Sequence, residues 1–196
     1  MRFIQQGVTL VELLVGIAIV GILLAAGIPS FTNWIQSTQV RTAAESILSG
    51  LQLARAEAVR RNDLVRFTLT DAAGLTAWTV GCVNATAACP ASIQSRSANE
   101  GSVNARIGIS VAAPPAPLGT YYTTPIAAGT GMTGVEGVTF NGLGRIRAAN
   151  IGADITRIDL SNAVTTDVRK LIIVVTTGGQ VRMCDSALDS SDSQGC

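Results

Sequence analysis

Residues 7–29, Gly7-Val8-Thr9-Leu10-Val11-Glu12-Leu13 and onward to Ile28-Pro29, read GVTLVELLVGIAIVGILLAAGIP and decide the fold. From Val8 to Ile28 the run is apolar apart from Thr9, Glu12 and its glycines. As a helix, about 20 such residues cross the roughly 30 Å hydrocarbon core of a bilayer. Glu12 stands out, because a carboxylate inside a bilayer-length apolar run costs about 2.5–3.5 kcal/mol on insertion scales and marks a functional residue by default. The segment in front, Met1 to Gly7, is too short for an ordinary secretory signal. Its small residue precedes the apolar stretch instead of following it.

Gly7 followed by Val8-Thr9-Leu10-Val11-Glu12-Leu13 resembles the class III signal of type IV pilins and type II secretion pseudopilins. Counted from Val8, Glu12 is the fifth residue and Pro29 the twenty-second, the places of that family's glutamate and helix-kinking proline. Val8 replaces the family's usual phenylalanine. The resemblance implies that a prepilin peptidase cuts after Gly7 and methylates the amino terminus of Val8. It also implies that Glu12 pairs, during assembly, with the amino terminus of a neighbouring subunit. Two opposite charges in hydrocarbon offset much of each other's desolvation cost.

Composition allows one globular domain beside this segment. The chain has 196 residues and is 47% hydrophobic, with a formal net charge of +1. Much of the apolar content lies in the first 28 residues, so the remainder has an ordinary soluble composition. A near-neutral balance argues against a bulk polyanion binder and leaves a local arginine patch open. There is no histidine, which removes Ser-His-Asp and Cys-His catalysis. No enzyme activity, cofactor or metal is expected. The four cysteines form two sequence-local pairs in the part expected to be exported, which favours disulfides. Of three pairings, Cys82–Cys89 with Cys184–Cys196 closes the shortest loops. A zinc site is the rival reading, without CxxC spacing or histidine behind it.

Beyond Pro29 the helix is expected to continue to about Arg61, bent near Gly27–Pro29 where a backbone hydrogen bond is missing. Val40, Ala44, Ile47, Leu51, Ala54 and Ala58 recur at alternating spacings of four and three, an apolar stripe on one face. Arg41, Glu45, Gln52, Glu57, Arg60 and Arg61 occupy the other. The rest reads as strands at 64–70, 77–83, 103–111, 138–140, 145–148, 155–160, 171–176 and 180–184. Asn141-Gly142-Leu143-Gly144 turns a predicted hairpin, and 112–130 is a long surface loop. One long helix followed by antiparallel strands is an α+β fold. The domain organisation follows: a leader at 1–7, a transmembrane and filament-core helix at 8–29, and at 30–196 an amphipathic helix with a β-rich head.

Residues 49–61, SGLQLARAEAVRR, resemble the "LxxARxEAxxR" stretch of the GspH/FimT/FimU group. Val138 to Arg145 resembles that group's "F-x-x-x-G" turn, and Thr177 to Asp185 its final hairpin. The resemblance implies a pilin-like fold and a minor subunit that assembles into, and primes or caps, a type IV pilus. One alternative is an H-type minor pseudopilin of a type II secretion system. Another is a FimT-like DNA-binding pilin, whose GRxR arginines contact phosphates without reading sequence. Here that place reads Gly179-Gln180-Val181-Arg182, while a literal GRxR stands earlier, at Gly144-Arg145-Ile146-Arg147. Arg145, Arg147 and Arg182 are thus the candidate DNA contacts, and exposed turn arginines are the blander reading. Asp185, Asp189 and Asp192 lack D-x-D-x-D spacing and read better as a tied polar tail than as a calcium site.

Implied partners are prepilin peptidase, other minor pilins or pseudopilins, the major subunit, the inner-membrane assembly platform and inner-membrane lipid. The implied location is single-pass in the inner membrane, amino terminus cytoplasmic and head periplasmic, and later in the filament. Arg2 lies before the apolar run and the next positive charge is Arg41, as the positive-inside rule asks.

Overall fold

A computed structural model describes residues 8–118, 120–189 and 191–196; within the helix, the side chains of 26–30 lie outside the described residues. Helix α1 spans Leu10–Arg61. The chain divides into two units, Met1–Ile35 and Gln36–Cys196.

In the first unit, α1 begins behind Thr9, whose hydroxyl accepts the Glu12 N–H at 3.2 Å. Its described apolar side chains are exposed all round, from Leu10 at 75% to Leu24 at 59%. Phe31 and Trp34 stack with ring centroids 5.9 Å apart. Among the described residues no helix is long and apolar enough to cross a membrane. The span expected at 8–29 includes residues whose side chains are outside that description. The bend expected at Pro29 falls there too, and the helical backbone assignment is unbroken through it.

In the second unit the rest of α1 packs on two antiparallel sheets. The first has the order β3-β2-β1-β5 and the second β4-β6-β7-β8. The strands are β1 Val65–Leu69, β2 Trp78–Cys82, β3 Gln94–Arg96, β4 Ala105–Ser110, β5 Gly137–Phe140, β6 Arg157–Asn162, β7 Leu171–Val175 and β8 Val181–Asp185. All six residues of the predicted stripe, Val40 to Ala58, are fully buried. They share one core with Phe67, Trp78, Val80, Phe140, Ile107, Ile158 and Ile173, so both sheets close on the same helix face. Gly50, next to stripe residue Leu51, lets the first sheet approach. A β-carbon on Gly50 would meet the Phe67 ring at 2.8 Å and the Trp78 ring at 3.1 Å. β7, LIIVV, is buried on both faces: Ile172 and Val174 form a second cluster with Cys184, flanked by Tyr122 and Cys196.

Two features depart from the sequence reading. Residues 145–148 are not a strand but a single bridge, Phe140 to Ile146, followed by a short 3-10 turn at Ala148–Asn150. Their backbone donors divide between two partners, Arg147 N–H to Thr139 and Ile146 N–H to Thr177, so no ladder forms. β3 is the other, a polar edge strand paired to β2 from Trp78↔Arg96 to Val80↔Gln94. Gly81 permits that approach, since a β-carbon there would lie 1.7 Å from the Ala91 carbonyl oxygen.

The predicted loop at 112–130 is held down by β6. Arg157 forks onto Asp159, with Nε and Nη2 each 2.5 Å from a carboxylate oxygen. The same guanidinium donates to the carbonyls of Tyr121 and, at 2.9 Å, Thr124, while Asp159 accepts the Ile126 N–H at 2.9 Å. Both charged groups are buried, and the Tyr121 ring lies 5.0 Å over the guanidinium carbon.

Candidate functional site

At the amino-terminal motif, Thr9 and Glu12 stand in the T-x-x-E spacing of a capping box. Thr9 takes up the Glu12 N–H through its hydroxyl and the Leu13 N–H, at 3.2 Å, through its carbonyl. The first of these satisfies a donor that a helix start leaves orphaned, which matters most in an apolar setting where no water replaces it, and the second is the helix's first backbone bond. Glu12 is exposed, and its carboxylate makes no ion pair among the described residues. Val8 is 72% exposed. Gly7 lies outside the described residues. The motif therefore presents an acid group and an all-round apolar surface that one chain by itself leaves uncovered.

The second group of residues gathers where α1 ends. Asn141 organises the turn, its Oδ1 accepting Leu143 N–H at 3.0 Å and Arg145 N–H at 3.1 Å. The turn lies across the helix: Arg55 Nε donates to the Gly144 carbonyl at 3.0 Å, and a β-carbon on Gly144 would sit 3.1 Å from Val59 Cγ2. Gly179, in the β7–β8 turn, comes against Gly144 and Arg145 from the other side. The literal GRxR at Gly144 and the corresponding place at Gly179 are thus neighbours in space, although far apart in sequence. Arg145 and Arg147 are exposed, and their guanidinium groups make no hydrogen bond or ion pair among the described residues. Arg182 instead donates to the Cys196 carbonyl at 3.3 Å. On the helix face, Arg41 pairs with Glu45, and Glu57 takes both Arg60 and Arg61, each at 2.7 Å. The hydrogen bond from Arg60 holds the Glu57 carboxyl below its usual range, against the opposing pull of burial.

Disulfides join Cys82 to Cys89 and Cys184 to Cys196, with α-carbons 5.7 and 5.1 Å apart. The second closes the tail onto β8, where Asp185 N–H donates to the Gln194 carbonyl at 2.7 Å. Asp185 is buried and pairs with Arg169 at 3.0 Å. Asp189 and Asp192 are exposed, each accepting a backbone N–H two residues on. No group of three or more potential ligands able to hold a metal occurs among the described residues.

Sequence reasoning missed three things here. Leu143 is 78% exposed at the tip of its turn and Val59 51% exposed on the helix beneath. Their signals were an apolar residue between two turn glycines, and a valine one step off the buried stripe. The apposition of Gly144 with Gly179 had no local signal.

A capped helix with an uncovered apolar sleeve, joined to a two-sheet α+β head, defines a type IV pilin-like subunit. Residues 2–28 match the prokaryotic N-terminal methylation motif, and residues 43–179 match the family model of the type II transport protein GspH. The chain belongs to the GspH family of minor pilins and pseudopilins, a family of structural subunits. The crystal structure of the type IV minor pilin FimU of Pseudomonas aeruginosa superposes with a TM-score of 0.50. It is 15% identical, over 78% of this chain and 93% of that one, so the likeness is one of fold. The type IV major fimbrial protein FimA of Dichelobacter nodosus is 38% identical over 63 residues, 32% of this chain and 39% of FimA. A second FimA from that species is 40% identical over 57 residues, 29% and 35% of the two chains. The chain thus spans about two fifths or less of the length of the curated relatives it matches.

Proposed function

We propose that the chain is a minor pilin, cleaved after Gly7, methylated at Val8 and drawn from the inner membrane into a type IV pilus, where it joins a priming complex near the tip. The observation that carries this reading is the apolar sleeve. Large side chains from Val8 to Leu24 are all more than half exposed on a helix, with Glu12 among them. Water does not tolerate such a surface, so lipid covers it before assembly and neighbouring helices cover it afterwards. Glu12 is tolerated in lipid because the assembled filament uses it, against a neighbour's amino terminus.

In this reading the head is periplasmic, and the partners are prepilin peptidase, the assembly platform, other minor subunits and the major subunit. The second reading is an H-type pseudopilin in a type II secretion system, favoured by the GspH match over residues 43–179. A FimT-like DNA contact through Arg145, Arg147 and Arg182 is weaker. Arg182 is turned to the tail, and the other two flank exposed leucine and valine side chains that phosphates do not require.

Expression of the full chain with prepilin peptidase tests the reading. Mass spectrometry should find an N-methylated Val8, and sheared filaments should contain the chain. Glu12→Ala should be processed normally yet drop out of those filaments, and equal incorporation of Glu12→Ala overturns the assembly role. Loss of surface pili with intact protein secretion in a strain lacking the chain separates the first reading from the second.

A further inference from the structure

An edge strand turns a row of unpaired N–H and C=O groups outward, and natural sheets cover or shorten such edges. The head has four edges, and β3, β5 and β4 follow that rule. β4 turns Ile107 and Ile109 outward, where they bond to Gly74, Gly129 and Thr130. β5 turns out Gly137 and Thr139, whose carbonyls take the Ile155 and Arg147 N–H groups. The Thr139 N–H goes to Asp154 Oδ2 at 2.6 Å. β3 is short and polar and turns out Ser95 alone.

β8 breaks it. Thr176 N–H donates to the Gln180 carbonyl at 2.9 Å and Ser186 N–H to the Lys170 carbonyl at 3.0 Å. In that register the even-numbered residues of β8 bond to β7 and the odd-numbered ones turn away. Asp185 is covered by the tail, its N–H reaching the Gln194 carbonyl at 2.7 Å beside the Asp185–Gly195 bridge. Val181 and Met183 are not covered. Their backbone N–H and C=O groups have no partner among the described residues. Their side chains lie on the α1 face of the sheet, packed against the core across from Val175 and Ile173. A cavity of about 260 Å³ beside Met183 is lined by Arg41, Leu171 and Gln194. Arg182, between the two, is exposed on the other face. It donates to the Cys196 carbonyl at 3.3 Å and pairs with no carboxylate among the described residues.

We infer that the β8 edge is a docking site for an extended segment of a different protein. The segment adds to the sheet as an antiparallel strand, with an acidic residue opposite Arg182 and apolar residues opposite Val181 and Met183. The open backbone groups define the occupant as a strand, since two outward residues offer two donors and two acceptors at strand spacing. Arg182 defines which strand. If two copies of this chain paired β8 to β8 through both open residues, Val181 would face Met183 and Arg182 would face Arg182. Like charges directly opposite across a strand pair are destabilising, so the edge is set against itself and in favour of an acid. Other charges nearby are already answered. Arg41 pairs with Glu45 and Arg169 with Asp185, while Asp189 and Asp192 accept N–H groups of their own loop. The inference needs neither the filament nor Glu12, and it holds for a pilus and a secretion system alike.

Amide hydrogen exchange on the full chain in detergent tests it, with the peptide acetyl-Thr-Val-Glu-Val-Thr-amide as the probe. Peptide at about ten times its dissociation constant should slow exchange at Val181 and Met183 about tenfold and leave β1 and β5 unchanged. N-methylation of both peptide valines removes two of the four hydrogen bonds and should weaken binding at least about fivefold. A peptide with lysine in place of glutamate should also bind at least about fivefold more weakly, and Arg182→Glu should reverse that preference. Arg182 is exposed, so the variant keeps the fold. No slowing at Val181 and Met183 with peptide at about 1 mM overturns the inference. Equal binding of the N-methylated peptide overturns it as well, as does a charge preference that Arg182→Glu leaves unchanged. Slow exchange at both residues without peptide, deepening with chain concentration, overturns it in favour of a second copy.

Discussion

Gly179 lies over the carbonyl of Gly144 so closely that a β-carbon on Gly179 would be 1.9 Å from that oxygen and 3.1 Å from the Arg145 α-carbon. Gly179 also holds φ at 80°, a left-handed value that disfavours side chains. Backbone, not a flexible side chain, blocks the space, so one turn or the other must move. Gly179→Ala should therefore destabilise the head by about 2 kcal/mol or more. Urea unfolding followed by Trp78 fluorescence checks this.

The Arg157–Asp159 fork gives a second prediction. Both groups are buried, and one removed partner strands the other's charge. Asp159→Asn should cost about 3–5 kcal/mol, the usual scale for breaking a buried pair. Arg157→Met/Asp159→Leu together should recover much of that loss, since neither charge then needs compensation. Thermal unfolding of the two variants decides it, and an equal or larger loss in the double variant would show that the loop's backbone bonds to Arg157 matter more than charge balance.

These two relationships also show what sequence could and could not reveal. The stripe from Val40 to Ala58 was legible because helical periodicity and burial are both local. LIIVV at 171–175 was legible because β7, buried on both faces, reads as an unbroken apolar run. β3 was not, because Gln94-Ser95-Arg96 gains its place from backbone pairing with β2 and carries no apolar alternation. Residues 145–148 alternate like a strand, but their backbone donors serve Thr139 and Thr177, a tertiary outcome with no local mark. At the site, Glu12 announced itself as a charge in an apolar run. The arginine turn did not, because only the fold brings Gly144 to Gly179.

Acid sensitivity supplies a third prediction. Burial pushes the Glu136 carboxyl up, but the Thr133 hydroxyl and N–H and the backbone N–H groups of Glu136 and Gly134 outweigh it and bring it down to about 2. A carboxyl lowered on folding contributes stability that is fully present above its unfolded value and fades as pH falls toward the folded one. The window therefore lies between about 4.5 and about 2. Glu136→Gln should reduce stability at pH 7 and flatten the stability profile across that window. Denaturation midpoints at pH 7, 4 and 2.5 test it, and parallel profiles for the two proteins would remove Glu136 from the account.

Gly50 sets two effects of known size against each other. In an exposed helix, alanine in place of glycine stabilises by about 1 kcal/mol through propensity. Here the added methyl group would enter 2.8 Å from the Phe67 ring and 3.1 Å from the Trp78 ring. Neither ring has room to yield. Phe67 is fully buried and Trp78 is 3% exposed, with its indole N–H donating to Ser46 Oγ at 2.9 Å. Overpacking a filled core costs about 1–3 kcal/mol. The clash should win, so Gly50→Ala should be destabilised by about 1 kcal/mol net, with a shifted Trp78 emission maximum as the indole loses its place against Ser46. Gly16→Ala is the control, since a methyl group added there would meet nothing within 4 Å in the single chain. It should leave the head's unfolding midpoint unchanged, and any defect it causes should appear in filament incorporation, where neighbouring helices occupy that space.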